Sequence, residues 1–179
     1  MKKIIFFSII IIASSILYGA KSYSILSRGL VKDNSTKLIW TRCPLSTDNK
    51  PIYDFQCIGE KKLFTWEEAI DACENLNFEG RSDWRLPNIN ELQSIAYYHH
   101  YVSGDSNISQ VVESVFPNAV TIEDAGKFWI CLLEDSCYTH YWSSTLKSQE
   151  ESIILDFNTG SISIGNVIHL KAVRCVAGP

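Results

Sequence analysis

Six cysteines, at positions 43, 57, 73, 131, 137 and 175, are the residues of this 179-residue chain best suited to covalent chemistry. Disulfides, a thiolate metal site and a nucleophilic thiol are the three chemistries open to them. No pair has Cys-x-x-Cys spacing and the four histidines do not fall at ligand intervals from the cysteines, so no metal site is expected. An even number favours bridges, although six cysteines allow fifteen pairings and spacing alone does not choose among them. If the pairs close in sequence are local bridges, Cys43 with Cys57 and Cys131 with Cys137, then Cys73 is left for Cys175. The second chemical kit is Tyr141-Trp142-Ser143-Ser144, an aromatic plane beside hydroxyls that can hold a ligand by stacking and hydrogen bonding. The competing reading is a strand tryptophan facing inward. His99 and His100 would diverge by about 100° on a helix, so joint metal binding is not expected. No Gly-x-Ser-x-Gly elbow or comparable nucleophile signature occurs; no catalytic residue and no cofactor are expected.

Positioning these residues requires elements whose signals are mostly local. Leu30-Val31 and Leu38-Ile39-Trp40 flank Asp33-Asn34-Ser35-Thr36, the pattern of a strand pair around a turn. Residues 43–57 form a polar loop with cysteines at both ends. Thr65-Trp66-Glu67-Glu68 has the capping-box form, and Trp66, Ala69, Ile70, Cys73 and Leu76 then recur at helical spacing, which puts Cys73 on an apolar stripe. Asn88 with Glu91 opens a second, shorter helix with Leu92, Ile95 and Ala96 on one face. Before it, Trp84-Arg85-Leu86-Pro87 reads as a structural corner, because Pro87 prevents a helix from running through. Residues 99–140 read mostly as loop. Strands are expected at 141–145, 153–157, 161–164 and 172–176, with Asn158-Thr159-Gly160 as a hairpin turn.

Charge and the N-terminus bound the function class. Lys2 and Lys3 precede an apolar run over residues 4–17, followed by Gly19 and Ala20, which is the form of an export signal over residues 1–20. The run is shorter than the roughly 20 apolar residues of a membrane span, so membrane contact is expected only if this segment stays uncleaved. Residues 21–28 read as a short lead-in to a domain over 29–177. Residues 21–179 carry 14 basic and 20 acidic side chains, a net −6, which argues against a nucleic-acid partner. Between residues 113 and 156 eight acids face only Lys127 and Lys147, so that stretch alone is also −6. A binding face there repels sulfated or phosphate-rich surfaces and favours a neutral sugar, a basic protein or a cation.

Several blocks together resemble the Lcl C-terminal domain family, a bacterial domain of unknown function named after the tail of a collagen-like adhesin. They are Gly29-Leu30-Val31, Leu38-Ile39-Trp40, Thr65-Trp66-Glu67-Glu68-Ala69 with Cys73, Asp83-Trp84-Arg85-Leu86-Pro87-Asn88 with Glu91-Leu92, Tyr141-Trp142-Ser143-Ser144, and Val173-Arg174-Cys175-Val176. The Trp-Arg-Leu-Pro block is the specific part. The resemblance implies an α+β, C-type-lectin-like fold: two helices packed on small twisted antiparallel sheets, a long loop region, and a bridge from helix to last strand like that drawn between Cys73 and Cys175. It also implies a secreted or envelope-associated binding or adhesion module, at the periplasm, cell surface or outside the cell, with a glycan or protein ligand. No Gly-X-Y repeat is present, so multivalency through a collagen-like stalk is not implied and oligomeric state is left open. Trp142 is followed by two serines and no Glu-Pro-Asn or Gln-Pro-Asp triplet occurs, so calcium-dependent sugar binding of the usual kind is not expected. Formylglycine-generating oxidases resemble this architecture and supply the alternative, an envelope enzyme that would need a reactive cysteine pair.

Overall fold

The computed structural model describes residues 22–96, 115–117, 136–157 and 159–179, with only the backbone for 136–138. The signal segment, His99, His100, Cys131 and most of the acidic stretch lie outside the described residues, and so does the pairing of Cys131 with Cys137.

Chain order is β1 (Tyr23–Ile25), β2 (Leu30–Asp33), β3 (Ile39–Thr41), α1 (Trp66–Glu74), β4 (Trp84–Arg85), α2 (Ile89–Ser94), β5 (Ser136–Leu146), β6 (Glu151–Asp156), β7 (Ile162–Asn166), β8 (Leu170–Ala172) and β9 (Val176–Ala177). The strands make two sheets, β1-β2-β3-β9-β4 and β7-β6-β5-β8, antiparallel except for the β5–β8 pair. The architecture is α+β. Both helices start where the local signals put them. Thr65 and Asn88 each accept a hydrogen bond from the backbone N–H three residues on, while Glu68 and Glu91 reach back to the cap N–H, so each helix opens on a complete capping box.

Three expectations change. The lead-in over 21–28 contains β1, which pairs antiparallel with β2 from Tyr23↔Asp33 to Ile25↔Val31. The Tyr23 hydroxyl also donates to the Ser94 carbonyl at 3.2 Å and its ring meets Phe116 edge-on. Too short to show a period, β1 exists because β2 offers it a free edge. The strand expected at 141–145 begins at Ser136, where its backbone pairs in parallel with β8. The strand expected at 172–176 is two strands in different sheets, β8 and β9, joined by Val173-Arg174-Cys175. At that crossing the Arg174 guanidinium, 1% exposed, donates to the carbonyls of Thr41 (2.8 Å) and Arg42. The Cys175 N–H donates to the Thr41 hydroxyl and the Thr41 N–H to the Cys175 carbonyl.

The core is in two parts. One gathers Cys73, Leu76, Trp84, Trp142, Ile154 and Val173 beside α1; the other gathers Trp40, Leu92, Phe116, Tyr141, Leu155 and Phe157 beside α2. Successive strand residues point to opposite faces, so adjacent Tyr141 and Trp142 enter different cores: the β5–β6 sheet is covered on both sides. The Cys73–Cys175 bond, with Cα atoms 5.6 Å apart, fastens α1 to the residue preceding β9.

Candidate functional site

Of the four residues expected to hold a ligand, Tyr141, Trp142 and Ser143 are fully buried and only Ser144 is exposed. Their polar atoms are engaged inside the protein. The Trp142 indole N–H donates to the Phe64 carbonyl at 2.7 Å, the Ser143 hydroxyl donates to the Ile153 carbonyl at 2.5 Å, and the Trp66 indole N–H donates to the Ser143 carbonyl at 2.9 Å. The Ser144 N–H donates to the Pro87 carbonyl. Even the space beyond the ring is taken: a Cβ on Gly165 would come within 3.1 Å of Trp142. This segment is a junction between sheets and helix, and the expectation of a ligand surface at Tyr141, Trp142 and Ser143 is corrected, because a core covers each face of the β5–β6 pair.

Trp84-Arg85-Leu86-Pro87 sits at the corner where β4 pairs with β9. Trp84, Leu86 and Pro87 are buried. The Arg85 guanidinium forks onto the Glu91 carboxylate with contacts of 2.7 and 2.6 Å, joining the corner to α2. Burial alone would push the Glu91 carboxyl up, but the Arg85 guanidinium and the Asn88 N–H hold it below its ordinary value.

A concavity of about 540 Å³ lies elsewhere, between α1 and the loop closed by Cys43–Cys57. Phe64, Ala72 and Leu76 form its buried floor, and exposed polar side chains with the half-buried Lys62 form its walls. Asp48, Asn49 and Lys50 come from the loop tip, where Asn49 holds a left-handed backbone (φ 59°) and Asp48 accepts from the Lys50 N–H. Asp71, Asn75 and Asn77 come from the last turn of α1 and its exit. Lys62 spans the two, its ammonium 2.8 Å from the Asn49 side-chain oxygen and 4.5 Å from the Phe64 ring centre. With Glu68 the walls carry three carboxylates and two ammonium groups, a net of −1.

The same disulfide-closed loop presents Tyr53 and Phe55, each just over half exposed. The Arg28 guanidinium lies 5.8 Å from the Tyr53 ring centre and 5.2 Å from that of Phe55. Tyr53 also meets Phe78, the residue after Asn77 of the concavity lining, so the aromatic shoulder and one wall of the concavity come from the same disulfide-closed loop. The Asp54 carboxylate accepts from the Gln56 and Ile58 N–H groups, which order the turn and hold its pKa down. Together these features can bind a molecule by hydrogen bonds and ring contacts. Sequence reasoning missed them; the one available signal was a loop with cysteines at both ends that also carries two aromatics.

The family model of the Lcl C-terminal domain matches residues 29–177, from the turn before β2 to the end of β9. The chain belongs to the Lcl C-terminal domain family. No curated protein matches it. The Lcl C-terminal domain therefore includes both cores, the α1–β9 bridge and the concavity, while β1 precedes the matched span. Among the described residues, no group of three or more His, Cys, Asp or Glu side chains is placed to hold a metal ion, and no helix is long and apolar enough to cross a membrane. The bonds Cys43–Cys57 and Cys73–Cys175 are of the kind that persists in an oxidising compartment.

Proposed function

We propose that this Lcl C-terminal domain is an extracytoplasmic binding module of C-type-lectin-like fold, and that the concavity with its aromatic shoulder takes an uncharged, hydroxyl-rich ligand, a neutral glycan. The observation that carries this reading is the lining, amides from Asn75 and Asn77 with carboxylates and ammonium groups summing to −1, together with two half-exposed rings on the loop that supplies one wall. Paired donors and acceptors with little net charge suit hydroxyl groups, and ring faces suit the apolar side of a pyranose. A strongly sulfated chain would find no basic footprint here. The fold reading draws support from the helix-to-last-strand bridge and from β3 pairing with β9, which brings the two ends of the domain together. Export draws support from Lys2, Lys3 and the apolar run that follows, with the two disulfides as company.

The test is a panel of neutral glycans, sulfated glycans and extracellular-matrix proteins, run with and without chelator at two salt concentrations. The expected result is binding of neutral glycans that chelator leaves unchanged and salt changes little, lost by roughly tenfold or more in Asn77→Ala and Asp71→Ala. Binding confined to sulfated chains, or binding that both variants retain, would overturn the reading.

A further inference from the structure

β7 stands at the edge of its sheet, with β6 on one side and, among the described residues, no strand on the other. Exposed edges are ordinarily protected by a lysine, a proline, a bulge or extreme shortness. β7 has none of these. Its register with β6 runs unbroken through five residue pairs, from Glu151↔Asn166 to Leu155↔Ile162. From position 157 to 168 the chain carries no charged residue and no proline. Ile162 and Ile164 stand on one face of the strand, 46% and 48% exposed, and Ile168 beyond it is 70% exposed. The opposite edge of the same sheet is treated differently: β8 is three residues long, and the Phe64 backbone closes it by exchanging N–H and carbonyl bonds with Lys171.

We infer that β7 is a self-association edge, and that its occupant is β7 of a second copy of this chain, paired antiparallel across a two-fold axis. A two-fold sets each residue against itself or its mirror position, so a strand bearing one sign of charge repels its own copy. An uncharged strand whose exposed side chains are Ile162, Ser163 and Ile164 does not. With the axis at Ile164, Ile164 stands beside its own copy on one face of the joined sheet, Ile162 faces Asn166 of the second copy, and no charges are opposed. The two four-stranded sheets become one of eight strands, and the particle carries two concavities. Binding to a repetitive surface then gains avidity without a collagen-like stalk.

Sedimentation and light scattering of the exported chain, from micromolar to roughly hundred-micromolar concentration, are expected to give twice the chain mass. Ile164→Lys is expected to weaken association by roughly tenfold or more while leaving circular dichroism unchanged, to abolish the dependence of Tm on protein concentration, and to remove hydrogen-exchange protection from those β7 N–H groups that do not bond β6. Ile164→Thr, uncharged and β-branched, is expected to retain the dimer. A wild-type chain that stays monomeric throughout would overturn the inference. A dimer that survives Ile162→Lys with Ile164→Lys, or growth into open polymers, would overturn it equally.

Discussion

Cys73–Cys175 lies wholly inside the protein, between α1 and the approach to β9, whereas Cys43–Cys57 closes a loop most of whose residues face solvent. The Cα separations are nearly equal, 5.6 and 5.4 Å, yet the spans enclosed differ, 102 residues against 14. All four sulfur-bearing residues are buried, so the contrast is in what each bond holds. The long bond ties together parts of the chain already fixed by a shared core: Trp84, Trp142, Val173 and α1. The short bond holds a segment with little core of its own, Ile52 with the two cysteines, and lets it display Asp48, Asn49, Tyr53 and Phe55 in fixed positions. Identical chemistry thus consolidates a fold in one region and pre-organises a surface in the other. Pre-organisation matters for binding because a loop already ordered loses less conformational entropy when a ligand arrives.

That contrast can be broken by measurement, starting with the largest effect. Replacing Cys73 and Cys175 together by alanine is expected to cost about 4.7 kcal/mol from the long loop released, read by urea unfolding. Trp142→Ala is expected to cost about 3–5 kcal/mol, since it opens a cavity and removes one of the two donors to the Phe64 carbonyl, the Lys171 N–H being the other. A Trp142→Ala protein of unchanged stability would return that residue to the surface and sink the two-core description. Replacing Cys43 and Cys57 by alanine is expected to cost about 3 kcal/mol and, unlike the long-bridge variant, to reduce glycan affinity in protein that remains folded. Equal affinity in that variant would remove the distinction between the two bonds.

The smallest effect is at the corner. Arg85 is 41% exposed in its side chain, so its fork onto Glu91 is worth no more than about 1 kcal/mol after solvent screening. Because the folded-state pKa of Glu91 is depressed, the contribution is present above the ordinary glutamate pKa and is lost as pH falls through the folded value. Urea unfolding at neutral and acid pH is expected to show this loss in the native protein and a shallower one in Arg85→Ala.

Much of the scaffold was legible along the chain, for reasons that are local. Thr65 with Glu68 and Asn88 with Glu91 announce helix starts because a cap needs only residues three apart. Leu30-Val31 and Ile39-Trp40 around a turn announce their pairing because the turn does the joining. The candidate site was not legible. Asp48, Asn49 and Lys50 on one wall and Asp71, Asn75 and Asn77 on the other are ordinary surface residues in sequence, and only the packing of α1 against the disulfide-closed loop makes them face one cavity. Tyr141-Trp142-Ser143 misled for the converse reason. The kit that binds a sugar at a surface also closes internal hydrogen bonds in a core, and alternation along a strand does not say whether the second face is covered.

The sequence by itself determined the helix starts, the first strand pair, the family and the residues 43–57 as a unit, since each depends on neighbours in the chain or on the motif blocks as a set. Tertiary structure alone decided that residues 172–176 divide between two sheets at Arg174, that residues 23–25 add a strand, that Trp142 is core, and that a polar concavity opens beside α1. These outcomes depend on which surfaces other segments cover. Burial and edge pairing belong to the assembled chain, and no stretch of it carries them alone.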